Sequence, residues 1–155
     1  MIRVVVTDAP LDAAAELAAL EVAGAGGVAS FTGLVRADDG VTALELEHYP
    51  GATEAALSAL AEQARDRWAL LATVVVHRVG RMVPSDRVVF VGTAAAHRQA
   101  ALEACAFLID RLKTEAPFWK REVLPDGARW VEARATDDDA AARWADPIAD
   151  RPASA

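Results

Sequence analysis

The 155-residue sequence has one cysteine, two lysines and no long apolar run, and each scarcity excludes a class of protein. Cys105 alone cannot form an internal disulfide, which fits a reducing compartment. No uninterrupted apolar stretch approaches the roughly 18 residues that a membrane-spanning helix needs. The amino-terminal segment turns acidic at Asp8, too early for a signal peptide. We therefore expect a soluble cytoplasmic protein with no membrane association.

The charge balance also excludes functions. The net charge is −7, whereas a general nucleic-acid-binding protein usually presents a broad basic face. The histidines at positions 48, 77 and 97 and Cys105 do not have the spacing of metal ligands. The sequence also contains no phosphate-binding loop, dinucleotide-binding glycine pattern or nucleophile-elbow motif. We expect no bound metal, no cofactor and no nucleic-acid partner.

Lysine is the most informative scarcity. Fourteen of the 16 basic residues are arginine, and both lysines, Lys113 and Lys120, lie in the string KTEAPFWKRE. In a chain that uses arginine at nearly every basic position, a retained lysine indicates that lysine itself is needed there. Residues 111–121 carry a local charge of +3, which favours an anion site. The alternative is a helix carboxyl end that collects cations, but this does not explain the cations beyond Pro117.

Helical and strand geometry place the two lysines differently. At about 100° per residue, Lys113 lies on one helix face with Leu102, Ala106 and Ile109, so it extends an apolar stripe. It either reaches out past the helix end or enters a pocket. Lys120 shares a strand face with Phe118 and Glu122, opposite Trp119 and Arg121. An exposed strand lysine is the alternative for Lys120.

Two further basic positions are candidates for anion binding. His97 and Arg98 open a long predicted helix, whose first amide groups already favour an anion. A phosphate or carboxylate cradle and a merely solvated helix start remain open at this point. Arg36 ends a strand beside a turn, which is weak evidence alone. His48 is interpreted as structural, and Cys105 as an inert buried thiol.

Periodicity predicts an α+β domain with a mixed or antiparallel sheet. Thr53 is expected to cap the second helix, and the strand at 41–49 to pair with the strand before it. Pro125–Gly127 predicts a hairpin turn. A single domain over 1–146 and a disordered tail over 147–155 are expected. The predicted strands are 2–7, 28–36, 41–49, 70–80, 87–94, 118–124 and 128–134, and the helices are 11–22, 53–68, 97–115 and 137–144.

Six strings in this order resemble one known family. They are FTGLVR, LEHYPGATEAAL, HRVGRMVPSDRVVFVG, AHRQAALEA, LKTEAPFWKRE and RWVEAR, from about Gly27 to Trp144. They resemble the large (catalytic) subunit of molybdopterin synthase, the MoaE family. The resemblance implies an α/β hammerhead-type fold with a long central helix. It also implies a homodimer in which each protomer binds a small ubiquitin-like, MoaD-like subunit, giving a heterotetramer.

The resemblance further implies an activity. The small subunit's carboxyl-terminal Gly-Gly thiocarboxylate supplies sulfur to cyclic pyranopterin monophosphate, which builds the dithiolene of molybdopterin. The matching motifs imply that Lys113 and Lys120 are catalytic and bind substrate, and that Phe31 and Phe118 wall the pocket. The other substrate-binding residues implied are Arg36, His97, Arg98, Arg121, Glu122 and Arg134.

Helix length adds an expectation of its own. Arg98 and Lys113 are fifteen residues apart on one predicted helix, about 22 Å at 1.5 Å per residue. One small pterin could hardly touch both, so we expect a composite site in which the neighbouring subunit supplies His97 and Arg98, together with Arg134.

Some features depart from the family pattern, and other functions remain open. The loop over 37–41 is short, and Leu34 stands where a polar residue is common. Two alternatives to the sulfur-transferring enzyme are a non-catalytic module that docks a ubiquitin-like partner and a phosphate-ligand enzyme of another class.

Overall fold

The computed structural model describes residues 1–131 and 135–144. In these ranges the chain forms eight strands and four α-helices, and no helix is long and apolar enough to cross a membrane. The expected disordered tail, 147–155, lies outside the described residues. The strands are β1 (Ile2–Thr7), β2 (Gly27–Leu34), β3 (Ala43–His48), β4 (Ala72–Arg78), β5 (Gly80–Met82), β6 (Arg87–Ala95), β7 (Phe118–Leu124) and β8 (Gly127–Val131). The helices are α1 (Ala13–Ala18), α2 (Ala52–Trp68), α3 (Arg98–Glu115) and α4 (Ala135–Ala142).

The first sheet, sheet A, has the strand order β1-β4-β6-β2, and its central strands β4 and β6 are buried on both faces. β1 runs parallel to β4, and the other pairs are antiparallel. Val75 and Val91 pack under α2 and α3, whereas Val74 and Phe90 pack against Leu20 on the opposite face. Burial on both faces explains why β4 reads as a continuous apolar run.

The second sheet, sheet B, has the order β5-β3-β7-β8 and is antiparallel throughout. The chain passes from sheet A to sheet B between Arg78 and Gly80, where Gly80 has a φ of +85°. Gly80 can adopt this left-handed conformation without a side-chain clash. The α+β class, with one mixed and one antiparallel sheet, is confirmed, and so is the β7–β8 hairpin.

The expected pairing of the 41–49 strand with the strand before it is wrong. β2 pairs with β6 in sheet A, whereas β3 pairs with β5 and β7 in sheet B. The segment between β2 and β3 carries the chain from one sheet to the other. Val35, at the start of this segment, and Leu44, just after it, pack with Met82 in a small core. Alternation of apolar residues identifies a half-buried strand but not its neighbour.

Two elements differ clearly in extent from the prediction. The first helix covers six residues, Ala13–Ala18, because the chain then turns to bury Leu20 against sheet A. Gly92 makes room for this side chain, since a Cβ at that position would lie 2.2 Å from Leu20 Cδ1. The strand predicted over 70–80 is divided at the crossover into β4 and β5.

Thr53 does not cap α2, contrary to expectation. The helix begins after Gly51, whose amide donates to the Glu54 carboxylate at 2.6 Å. Thr53 lies within the first turn and is fully buried. Its hydroxyl accepts from the Tyr49 amide and donates to the Pro117 carbonyl, each at 3.0 Å. Thr53 therefore fastens α2 to the turn that precedes β7.

His77 makes a second connection between the layers. Its ring is 7% exposed and stacks on Phe118 of β7, with the ring centroids 3.9 Å apart. Nδ1 lies 2.9 Å from the Arg78 carbonyl oxygen, so this nitrogen carries the proton and donates it. Burial lowers the pKa of His77 to about 4, and the bond to Arg78 only partly opposes the shift.

We expect Thr53→Val to lower the free energy of unfolding by about 1–3 kcal/mol, because it removes two hydrogen bonds from a fully buried position. Urea denaturation measures the change. Thr42→Val is the matched control, since exposed Thr42 also donates to a carbonyl, that of Val123, at 3.2 Å. This control should cost about 0.5 kcal/mol or less. Equal losses in the two variants would contradict a special role for Thr53.

His77 should make the fold sensitive to acid. Its pKa is lowered from 6.5 to about 4, so between these pH values the unfolded chain binds a proton at His77 and the folded chain does not. This stability is complete above pH 6.5 and declines as the pH falls towards 4, by about 3 kcal/mol in total. Urea titrations at pH 7 and pH 4 should therefore show a smaller loss for His77→Phe than for the unmodified protein. Identical losses would exclude His77 as the cause.

Candidate active site

A cleft of about 700 Å³ opens between the two sheets. One wall is the end of β2, including Phe31 and Gly33, and the other is the inner face of β7. The carboxyl-terminal turn of α3 lies over it, and the segment that follows β2 forms its mouth. Three layers of the fold thus contribute side chains to one concave site.

Both lysines line this cleft. Lys113 lies in the last turn of α3, and Lys120 is the third residue of β7. Between them, Ala116 has an extended backbone conformation (φ −79°, ψ 128°), because the residue before a proline is excluded from helical geometry. The chain therefore turns from helix to strand and directs both lysines into the same space.

The predicted apolar stripe that includes Leu102 is wrong, because Leu102 is 57% exposed. Lys113 is itself exposed and lies at the edge of the buried face, next to buried Leu112. Its side chain reaches the cleft because this edge of α3, which includes Ile109, borders the cleft at the carboxyl end of the helix. The buried side chains of α3 are Ala101, Ala104, Cys105, Phe107, Leu108 and Leu112.

Alternation along β7 divides its basic residues between two faces, as the sequence predicts. Phe118, Lys120 and Glu122 line the cleft. Arg121 lies on the opposite face, where its Nε donates to Glu45 at 2.9 Å. The structure therefore does not bring Arg121 into this cleft, because strand geometry directs its side chain away from Lys120.

The mouth of the cleft combines both signs of charge. Arg36 lies 3.2 Å from Asp38, and both side chains are exposed. Asp39 also lines the cleft and has a left-handed φ of 56°. On the opposite side, Glu122 forms a 2.8 Å ion pair with Arg129. Arg36 and Arg129 are thus already paired with carboxylates. These pairs occupy part of the hydrogen-bonding capacity that an entering anion would need.

The apolar walls are closely fitted. Gly33 is required for this fit, since a Cβ there would lie 2.7 Å from Val89 and 3.3 Å from the Phe31 ring. Phe31 remains 40% exposed, so one ring face is available to a ligand. Phe118 forms the facing wall and is supported from behind by His77.

The remaining predicted site residues lie elsewhere. His97 and Arg98 are exposed at the start of α3, the end of the helix opposite Lys113, and do not line the cleft. In the described part of the chain, no side chain caps this helix start and no acidic residue lies in its first turn. Arg134 falls outside the described residues.

Three titratable side chains that line the cleft were not expected there from the sequence, namely His77, Asp38 and Asp39. His77 had a detectable signal, because it is a polar residue within the buried run ATVVVHR. The Asp-Asp-Gly string indicated only a turn, and nothing in it indicated that the turn would lie at a cleft.

Cys105 has no part in the cleft chemistry. It is buried in α3, and burial raises the pKa of its thiol to about 11, as expected for an inert residue. Among the described residues, no group of three or more His, Cys, Asp or Glu side chains is placed to hold a metal ion. The titratable side chains that line the cleft are two lysines, one arginine, one histidine and three carboxylates.

Comparison with known proteins identifies the family of the chain. The family model described as MoaE protein matches residues 6–115. The chain is 55% identical over 122 residues to the molybdopterin synthase catalytic subunit of Escherichia coli K12, covering 77% of this chain and 81% of that protein.

Solved structures are similarly close. A molybdopterin biosynthesis MoaE protein from Burkholderia ambifaria superposes with a TM-score of 0.81 at 50% identity, covering 95% of this chain and 100% of that one. A molybdopterin synthase from Staphylococcus aureus superposes with a TM-score of 0.78 at 30% identity, covering 82% and 95%. The family match and these identities establish that the chain belongs to the MoaE family.

Proposed function

We propose that this chain is the catalytic subunit of molybdopterin synthase. It transfers sulfur from the carboxyl-terminal thiocarboxylate of a small ubiquitin-like subunit to cyclic pyranopterin monophosphate, forming the molybdopterin dithiolene. The observation that carries the proposal is the meeting of Lys113 and Lys120 with Arg36 in one cleft. We place the reaction in the cytoplasm. In this proposal the small subunit is a separate chain.

The cleft suits both reactants. A Gly-Gly tail has no side chains and can enter between the walls formed by Phe31 and Phe118. The pterin substrate carries a phosphate, which an arginine such as Arg36 binds well. Attack by the thiocarboxylate produces charged intermediates, and fixed cations stabilise the charge that develops. We assign Lys113 to the tail carbonyl, and Lys120 to the substrate or to proton transfer, with Glu122 beside it.

The substrate site is composite in this proposal. Arg98 and Lys113 are separated by about 22 Å of helix, and only the Lys113 end borders the cleft. A two-fold dimer can bring the amino-terminal end of the partner's α3 to this cleft. His97, Arg98 and Arg134 would then complete the phosphate site from the neighbouring protomer. Each protomer binds one small subunit, which gives a heterotetramer.

Lys113→Ala should lower turnover by roughly 10²- to 10³-fold, because it removes a cation from the reacting centre. The assay combines the chain with thiocarboxylated small subunit and cyclic pyranopterin monophosphate and measures the dithiolene product. Affinity for the small subunit, measured by calorimetry, should change little.

Arg111→Ala is the matched control for this variant. Arg111 lies two residues earlier on α3 and forms an ion pair with Glu115, away from the cleft lining. It should retain near-normal turnover. Loss of small-subunit binding in Lys113→Ala, with normal turnover at saturation, would reassign Lys113 to docking and favour the non-catalytic alternative for this residue.

Mixed dimers test the composite site. Lys113→Ala and Arg98→Ala chains should each be nearly inactive, but their hybrid dimer contains one cleft with neither substitution. After subunit exchange at equal amounts, half of the dimers are hybrids and half of their sites are intact, so about a quarter of the activity should return. Product formation before and after exchange measures this recovery.

The pair Lys113→Ala and Lys120→Ala is the control for exchange. Both lysines line the same protomer's cleft, so every site in that hybrid carries a substitution and activity should stay low. Absence of recovery with Arg98→Ala, while labelled chains demonstrably exchange, would place Arg98 and Lys113 in the same protomer's site.

A further inference from the structure

The two lysines belong to different layers of the fold. Lys113 is carried by α3, which packs on sheet A, whereas Lys120 belongs to β7 in sheet B. Their separation is therefore not fixed by a single rigid element. It depends on the contacts that hold sheet B against sheet A beside the cleft.

His77 makes such a contact at the cleft itself. It lies on β4 of sheet A, and its ring stacks on Phe118, the first residue of β7, at an interplanar angle of 26°. Phe118 and Lys120 lie on the same face of β7, two residues apart. Movement of the Phe118 ring would therefore displace the strand segment that carries Lys120.

The His77 ring is also held from its own side. Its Nδ1 donates to the Arg78 carbonyl at 2.9 Å, at the point where the chain leaves sheet A for sheet B. The next residue, Val79, donates its amide to the Thr7 carbonyl at 2.8 Å, which fixes the crossover to β1. The His77 ring is thus hydrogen-bonded to the crossover and stacked on Phe118, which forms a wall of the cleft.

We propose that His77 is a positioning residue for the sulfur transfer, which sets Lys120 relative to Lys113 through its stacking on Phe118. This inference rests on the proposed function, but it concerns a residue with no direct part in the chemistry. Histidine suits the position because it combines a flat ring for stacking with an N–H for the Arg78 carbonyl. Phenylalanine keeps only the first property, and glutamine keeps only a donor.

Three variants separate these contributions. His77→Phe keeps the stacking and should retain kcat within about threefold, since the lysines keep their positions. His77→Gln loses the stacking and should lower kcat roughly 10- to 100-fold, because small misplacements of catalytic groups are costly. KM for cyclic pyranopterin monophosphate and Kd for the small subunit should stay within about twofold.

Val75→Ala controls for simple destabilisation. Val75 lies two residues earlier on the same face of β4, is fully buried and does not line the cleft. It should lower the melting temperature while leaving kcat per folded molecule unchanged, with folded molecules counted by titration with the small subunit. A kcat loss in Val75→Ala equal to that of His77→Gln would overturn the inference.

Phe118→Leu approaches the same contact from the other side and serves if His77→Gln does not fold. It should show a similar fall in kcat, and the double variant should lose little more than either single variant. Normal kcat in His77→Gln or Phe118→Leu, or equal losses in His77→Phe and His77→Gln, would reject the positioning role. Absence of product from the unmodified protein would instead reject the proposed function, and this inference with it.

Discussion

The site depends on one backbone constraint, the exclusion of the residue before Pro117 from helical geometry. Without it, α3 would continue, and Lys120 would lie on the helix, about 10 Å beyond Lys113 along its axis. Instead the chain turns at once into β7, and both lysines line the same cleft. Thr53 fixes this turn by bonding the Pro117 carbonyl, so a buried hydroxyl on α2 supports a site to which α2 contributes no lining residue.

The side chains that line the cleft are less acidic than the protein as a whole. The net charge of −7 opposes the approach of a thiocarboxylate and of a phosphate. Among the residues that line the cleft, the three cations Lys113, Lys120 and Arg36 offset the three carboxylates Asp38, Asp39 and Glu122, so their formal charges sum to zero. A carboxylate beside an exposed arginine contributes little to stability, because such pairs are screened by water. Its consequence is for binding, since in the proposed reaction a phosphate bound by Arg36 would compete with Asp38.

Local patterns in the sequence predicted most elements and part of the site, whereas long-range pairing was not accessible to them. Alternation along β7 correctly separated Lys120 from Arg121, because the period of a strand is local. The same alternation suggested a hairpin for β3, whose true neighbours, β5 and β7, depend on the packing of Leu44 and Met82 between the sheets. The sequence did not indicate a role for His77, because that role depends on contact with Phe118, 41 residues away. The roles assigned to all the site residues remain predictions.

His77 also shows why stability alone does not account for this sequence. An apolar side chain would fit the run of valines on β4 without the acid sensitivity that a buried imidazole introduces. The histidine lies where the chain changes sheets, and its two contacts run in different directions, one to the crossover and one to the cleft wall. A leucine could fill the volume, but it would leave the Arg78 carbonyl without its ring donor and offer no flat surface to Phe118. The flat ring at position 77 is thus better explained by the geometry it imposes on the cleft than by the stability it contributes.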